Sequence, residues 1–173
     1  MILGMTLATY TLVHVVISLV GIASGLVVLF GLLGGKRLAG WTGLFLATTA
    51  VTSATGFGFP FDHFLPSHGV ATISLVVLAV ATAALYAFHL EGPWRRIYVI
   101  GAVVALYLNV FVAVVQSFEK VPALRVLAPT QSEPPFAIAQ LVVLVLFVVA
   151  GVAAARRFRN EPSPKVSAAR SGR

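Results

Sequence analysis

Residues 136–155 read FAIAQLVVLVLFVVAGVAAA, a run without a single charged side chain. A helix of about 20 apolar residues matches the hydrocarbon thickness of a bilayer, because it rises by about 1.5 Å per residue. Lipid offers no hydrogen-bond partner, so the backbone of such a segment must satisfy its own N–H and C=O groups. This stretch therefore predicts a transmembrane α-helix, and with it the fold class of the chain.

The composition of the whole chain agrees with that interpretation. Hydrophobic residues make up 59% of its 173 residues, charged residues make up 10%, and the mean hydropathy is +0.99. Soluble domains usually carry about 25% charged residues. The formal net charge is +7, but the basic residues flank apolar spans, so we expect contact with the lipid bilayer and no nucleic-acid partner. The absence of cysteine excludes disulfides and thiolate chemistry.

Four further apolar segments precede residues 136–155, which gives five predicted spans. We predict an all-α, polytopic transmembrane bundle of about five helices, forming a single domain over residues 1–158. A disordered basic cytoplasmic tail is expected over residues 159–173, and a short interfacial helix is expected within residues 121–127. The predicted spans are 5–33, 41–58, 69–90, 97–118 and 136–155.

The basic residues predict the orientation of the bundle. With five spans, only Lys120 and Arg125 fall at one membrane surface, whereas the other Lys and Arg residues, out of 12 in total, fall at the opposite one. The positive-inside rule then places the N-terminus outside and the C-terminus in the cytoplasm. We expect the protein to lie in a bacterial inner (plasma) membrane.

Polar side chains inside the spans indicate where a functional site would lie, since it is costly to place them in lipid. Those of the first span recur at helical spacing, and others lie at comparable depth on neighbouring spans. We predict that they converge on an outward-facing pocket. An alternative is that they only join helices by hydrogen bonds, with Gly21 and Gly25 as a close-approach motif. The pocket candidates are Tyr10, His14, Ser18, Thr52, Asn109, Gln116 and Gln140.

Three functions remain open at this point. The first is a binding or accessory role, as a homo-oligomer or as a subunit of a larger membrane complex. The second is b-type haem binding for redox chemistry, with His14 paired with His68 or His63 as axial ligands. The third is a small-solute or proton pathway, in which His14 would titrate near neutral pH. The sequence contains no GxSxG, HExxH or phosphate-binding motif, so no catalytic residue or metal site is predicted.

Two stretches carry a resemblance to known proteins. They are TGFGFPF at 55–61 with LPSH at 65–68, and LYLNVFVAVVQ at 106–116, which continues through KVPAL at 120–124 to LAPTQSEPPF at 127–136. Together they resemble a family of small, uncharacterised bacterial multi-pass membrane proteins, and this resemblance implies no activity. The helix hairpins with scattered histidines are more loosely similar to cytochrome b561-like proteins, which implies haem, although the histidine pairs on both membrane faces are missing.

The stretch 127–136, with which the loop 119–135 ends, is rigid and polar for a linker. We hypothesise that it folds back over the outer pocket as a lid, with Gln131 or Glu133 near His68. The alternative is a capped turn that only sets the direction in which the last helix begins.

Overall fold

The computed structural model describes residues 4–60 and 66–158. The described residues form helices and connecting turns without a β-strand, so the all-α prediction is confirmed. His63 and the predicted disordered tail, residues 159–173, lie outside the described residues. The helices are α1 (Leu7–Leu33), α2 (Ala39–Gly56), α3 (Pro66–Thr82) with a π-helical continuation (Ala83–Ala87), α4 (Trp94–Lys120), α5 (Pro122–Leu127) and α6 (Pro134–Arg157).

Four of the described helices are long and apolar enough to cross a membrane. They are Leu7–Leu33, Ser67–Ala87, Trp94–Lys120 and Pro134–Arg157, and they indicate a transmembrane protein. The helix α2 has 18 residues and is not one of these four. Its threonines and its serine lower its hydropathy, and several of them are buried against other helices.

The helix α4 lies at the centre of the bundle, because it contacts α1, α2, α3 and α6. Its buried face includes Val99, Ala102 and Leu106, which belong to the hydrophobic core. Gly25 of α1 sits against that core: a Cβ there would lie 2.6 Å from Leu106 and 2.8 Å from Phe45. In contrast, α6 buries only Ala154, so most of its apolar surface faces outward, as expected for a lipid-facing helix.

The two ends of the bundle differ in charge. At one end, Arg157 Nη1 donates a hydrogen bond to the Leu33 carbonyl over 3.1 Å, and the Phe158 and Tyr98 rings lie 6.3 Å apart. The end of α1 and the end of α6 therefore meet the start of α4. We call this the basic end, because its turns and helix termini carry Lys36, Arg37, Arg95, Arg96, Arg156 and Arg157.

The opposite end of the bundle is where α1 begins and α2 ends, and we call it the histidine end. There Tyr10, in the first turns of α1, bonds to Thr55 in the last turn of α2. Thr42, near the start of α2, lies 3.4 Å from the hydroxyl of Tyr98 at the basic end. The helix α2 therefore runs the full distance between the two ends.

The connection between α3 and α4 is irregular. The π-helical segment is followed by His89 and Leu90, whose φ angles of 50° and 60° lie in the left-handed region. Such residues cost roughly 1–3 kcal/mol each and persist where the surroundings hold them. Here Leu90 is buried, and Phe88 stacks on Trp94 with ring centroids 3.7 Å apart.

Candidate functional site

The candidate site at the histidine end is built on the last turn of α2. The hydroxyl of Tyr10 donates to the Thr55 carbonyl over 2.7 Å, and the backbone N–H of Gly58 donates to the same oxygen over 3.0 Å. Carbonyl groups in the last turn of a helix have no partner within the helix. Tyr10 is buried, so this bond satisfies both its hydroxyl and an end of α2, and it fixes α1 against α2.

His14 lies one turn further along α1 and contacts the side chain of the same threonine. Its Nδ1 lies 2.9 Å from Thr55 Oγ1. The Thr55 hydroxyl donates its proton to the Val51 carbonyl over 2.7 Å. That oxygen can therefore only accept from His14, so Nδ1 carries a proton, and in the neutral form of the ring the lone pair lies on Nε2. The bond orients His14 as a hydrogen-bond acceptor or as a metal ligand.

Phe59 forms an aromatic wall beside this pair. Its ring meets the Tyr10 ring edge-on at 5.0 Å and the His14 ring edge-on at 5.1 Å. Gly58 permits this close approach, because a Cβ at that position would overlap the Tyr10 hydroxyl. The loop after α2 therefore covers one side of His14. We define the His14 site as Tyr10, His14, Thr55 and Phe59.

His68, the second proposed haem ligand, lies in the first turn of α3. It is buried, with 3% of its surface exposed, and its ring stacks on Phe57 at a centroid distance of 5.4 Å. The third proposed ligand, His63, lies outside the described residues. Each described histidine at this end is therefore covered on one side by a phenyl ring of the same loop.

Asn109 lies deeper in the bundle and joins two helices. Its Nδ2 donates to Thr49 Oγ1 over 3.3 Å. Both groups pack on Gly21, where an added Cβ would come within 3.2 Å of each. Asn109 therefore joins α4 to α2, next to Gly21 of α1.

The remaining pocket candidates lie in different surroundings. The hydroxyl of Ser18 donates to the Val15 carbonyl of its own helix, and Gln116 is exposed. Gln140 Nε2 donates to the Phe111 carbonyl over 3.2 Å and joins α6 to α4. The structure therefore brings Tyr10 and His14 together, and it leaves Ser18 and Gln116 outside that contact.

Two buried polar atoms belong to the predicted pocket set. Within the described part of the chain, Thr52 Oγ1 and Gln140 Oε1 have no hydrogen-bond partner. Buried polar atoms are paired in the great majority of cases, with protein or with ordered water. A buried water molecule would satisfy either atom.

Three residues that shape the histidine end were not among the pocket residues predicted from the sequence. Thr55 and Phe59 make the contacts to His14, and Ser53 Oγ donates to Ser74 Oγ over 3.0 Å inside the bundle. The signal for Thr55 was present, since it lies one turn beyond Thr52 on α2. No signal in a single sequence could have shown that the chain folds Phe59 back over α1.

The segment after α4 contacts α4 itself. Gln131 Nε2 donates to the Val115 carbonyl over 3.3 Å, and the Phe118 and Phe136 rings meet edge-on at 5.4 Å. The Glu133 carboxylate accepts hydrogen bonds from Thr130 and Ser132 of its own turn. These contacts are those of a folded turn that leads into α6, and the lid over His68 stays a hypothesis.

The chemistry available to this site is limited. Among residues 4–60 and 66–158, no group of three or more His, Cys, Asp or Glu side chains could hold a metal ion. The hydroxyls of Tyr10 and Thr55 are already bonded within the bundle. The His14 site therefore offers one imidazole acceptor and aromatic surface, which suits binding by a hydrogen bond and by stacking. Comparison of the chain with protein-family models, with curated proteins and with solved structures found no match.

Proposed function

We propose that the chain crosses a bacterial inner membrane five times, with the histidine end outside and the basic end in the cytoplasm. The support for a fifth crossing is that α2 runs between the two ends, and its 18 residues span about 27 Å at 1.5 Å per residue. Its polar side chains are partly buried against α1, α3 and α4 rather than in lipid. The orientation is supported by the cluster of Lys and Arg residues at one end.

We further propose that this protein is a binding or accessory component of the membrane, without catalysis of its own, and that it engages its ligand or partner through the His14 site. The observation that carries this proposal is the hydrogen bond from His14 Nδ1 to Thr55 Oγ1. It holds the imidazole in one tautomer and leaves Nε2 as an acceptor for a donor group outside the bundle.

The bond at Nδ1 also supports haem as a second candidate. Histidines that ligate a metal usually donate their other ring N–H to a fixed acceptor, and Thr55 supplies such an acceptor here. However, Phe59 lies against His14 and Phe57 stacks on His68. A haem between these imidazoles would require the loop that carries both rings to move. A solute pathway has less support, since Asn109 and Ser53 are paired across helices.

Photo-crosslinking in native membranes tests the accessory role. Thr11 and Leu12 are both exposed, lie at the same depth on α1, and point to different faces, with Thr11 nearer to His14. A photoreactive phenylalanine derivative at position 11 should give a discrete adduct that is lost with His14→Ala, whereas the probe at position 12 should give none. The same adducts from both positions, or an adduct insensitive to His14→Ala, would contradict the proposal.

Two spectroscopic measurements separate the alternatives. The absorption spectrum of purified protein should lack the Soret band of a haem if binding is by hydrogen bonds alone. A Soret band that disappears with His14→Ala would instead establish a b-type haem protein. ¹⁵N NMR of the histidine-labelled protein should show a protonated Nδ1 and an unprotonated Nε2 for His14, and Thr55→Val should abolish this preference.

A further inference from the structure

An open groove lies on the outside of the bundle between α2 and α3, and it shares no residue with the His14 site. Its volume is about 540 Å³. Leu46 and Ala50 of α2 form one wall, and Leu78, Ala79 and Ala83 lie on the α3 side. We call it the α2–α3 groove. Its lining is apolar except for Thr82 and Tyr86 towards the basic end.

The sequence explains why this space is open. Ala79, Ala83 and Ala87 follow one another at intervals of four, so they share one face of the helix and leave no side chain beyond Cβ to fill it. The intervening residues Ala84 and Leu85 are buried in the core. The π-helical segment Ala83–Ala87 inserts an extra residue per turn, a feature often found at functional sites.

The dimensions of the groove match one lipid chain. Its α3 side extends from Leu75 to Ala87, which corresponds to about 18 Å at 1.5 Å per residue. Half of the hydrocarbon core of a bilayer is about 15 Å thick. The groove therefore covers the depth of one leaflet, on the side of the basic end.

The groove extends to the basic end of the bundle, where the turn before α2 carries positive charge. Tyr86 lines the groove and has 57% of its surface exposed. Arg37 lies in the turn before α2, and the hydroxyls of Thr42 and Tyr98 lie 3.4 Å apart where that helix begins. Arg37 is itself exposed, as is Lys36 beside it. A phenolic hydroxyl that lines an apolar groove and a guanidinium at the same end of the bundle are complementary to a phosphate group with attached acyl chains.

We propose that one anionic phospholipid binds in the α2–α3 groove, with an acyl chain along the alanine face and its phosphate at Arg37 and Tyr86. A second copy of this chain is a poorer occupant. In the same membrane orientation its own basic turns would lie beside Arg37, and like charges would repel. The proposal rests on the membrane placement proposed above, but it does not depend on the His14 site.

Native mass spectrometry of the full chain in detergent tests this proposal, with phosphatidylglycerol and phosphatidylcholine of identical acyl chains as probes. The wild-type protein should bind phosphatidylglycerol at least about fivefold more tightly, because a basic residue near a membrane surface contributes that much to anionic-lipid binding. Arg37→Gln should remove most of this preference. Ala79→Leu, at an exposed position in the groove, should weaken the binding of both lipids.

Matched controls lie on α6, which does not line the groove. Arg156→Gln removes a basic residue from the same end of the bundle, and Ala137→Leu enlarges an exposed alanine; both should bind lipid as the wild type does. Equal binding of the two lipids, or binding unaffected by Ala79→Leu, would overturn the proposal. So would a dimer that Ala79→Leu dissociates without changing the lipid count. His14→Ala should retain the lipid preference. Failure of the lipid proposal can therefore be distinguished from failure of the proposal for the His14 site.

Discussion

Asn109 of α4 donates a hydrogen bond to Thr49 of α2 over 3.3 Å, directly above Gly21 of α1. Three helices meet at this point, and Thr49 is fully buried. The absence of a side chain at Gly21 is what allows the amide and the hydroxyl to approach the backbone of α1. A polar side chain in a membrane bundle can thus stabilise the contact between helices without binding a ligand.

A double-mutant cycle measures the strength of this contact. Asn109→Ala and Thr49→Val should each destabilise the bundle, and their coupling energy should be about 0.6 kcal/mol, as is typical of interhelical hydrogen bonds in membranes. The free energy of unfolding in mixed micelles, measured by circular dichroism, provides the values. A coupling energy of zero would show that the 3.3 Å contact does not contribute to stability.

Gly25 gives a sharper packing prediction. Gly25→Ala would place its Cβ 2.6 Å from Leu106 and 2.8 Å from Phe45, and overpacking of this kind costs about 1–3 kcal/mol. Gly43 of α2 is the matched control, because a Cβ there meets nothing within 4 Å. Gly43→Ala should leave stability unchanged or raise it by about 0.5–1 kcal/mol, through the better helix propensity of alanine. Equal effects of the two substitutions would contradict this account of the packing.

The helical class and the membrane spans could be predicted because hydrophobicity is a local property of the sequence. The run at 136–155 becomes α6, and its apolar surface faces outward as a lipid-facing helix requires. The pairing of polar groups is not local. Gly21 and Gly25 could be identified from the sequence as a close-approach motif. The sequence did not show that the helices they contact are α2 and α4.

The candidate site was predictable only in part for the same reason. Tyr10 and His14 share a face of α1, so their proximity follows from the helical repeat. Their partner Thr55 is 41 positions away from His14. Whether Thr52 or Thr55 lies beside His14 depends on the axial offset between α1 and α2. Ser18 has the spacing of a pocket residue, yet its hydroxyl bonds to the backbone of its own helix, an option that the spacing does not reveal.

The turn before α6 should be sensitive to acid. Desolvation of the Glu133 carboxylate is the largest single effect and opposes its ionisation. Hydrogen bonds from the Thr130 side chain and from the backbone of Glu133, Thr130 and Ser132 together outweigh it and lower the pKa of Glu133. A carboxyl group with a lowered pKa stabilises the folded turn above its ordinary pKa of about 4.3. That contribution is lost as the pH falls through the pKa of the folded state.

Hydrogen exchange of the Thr130 and Ser132 amides checks this prediction, since both donate to the carboxylate. After correction for the intrinsic exchange rates, their protection should be higher at pH 6 than at pH 3. Glu133→Gln should show weak protection at both pH values. Protection in the wild-type protein that does not change with pH would show that the ionised carboxylate does not hold the turn.

The absence of cysteine permits a direct test of whether α2 crosses the membrane. Lys36 precedes α2, Gly56 ends it, and Ser132 lies in the turn before α6; all except the half-buried Gly56 are exposed. Single cysteines at these positions can be labelled in intact cells with a membrane-impermeant maleimide. If α2 crosses, Gly56→Cys and Ser132→Cys should react from outside, whereas Lys36→Cys should react only after the cells are opened.

Each pattern of labelling has a distinct structural meaning. Labelling of Lys36→Cys and Gly56→Cys from the same side would mean that α2 does not cross, and that the four apolar helices are the only spans among the described residues. Labelling of Lys36→Cys alone from outside would reverse the orientation and place the His14 site in the cytoplasm. The positive-inside rule opposes that reversal, because the Lys and Arg side chains of the basic end would then lie on the outer surface. We therefore expect Gly56→Cys and Ser132→Cys to be the externally labelled pair.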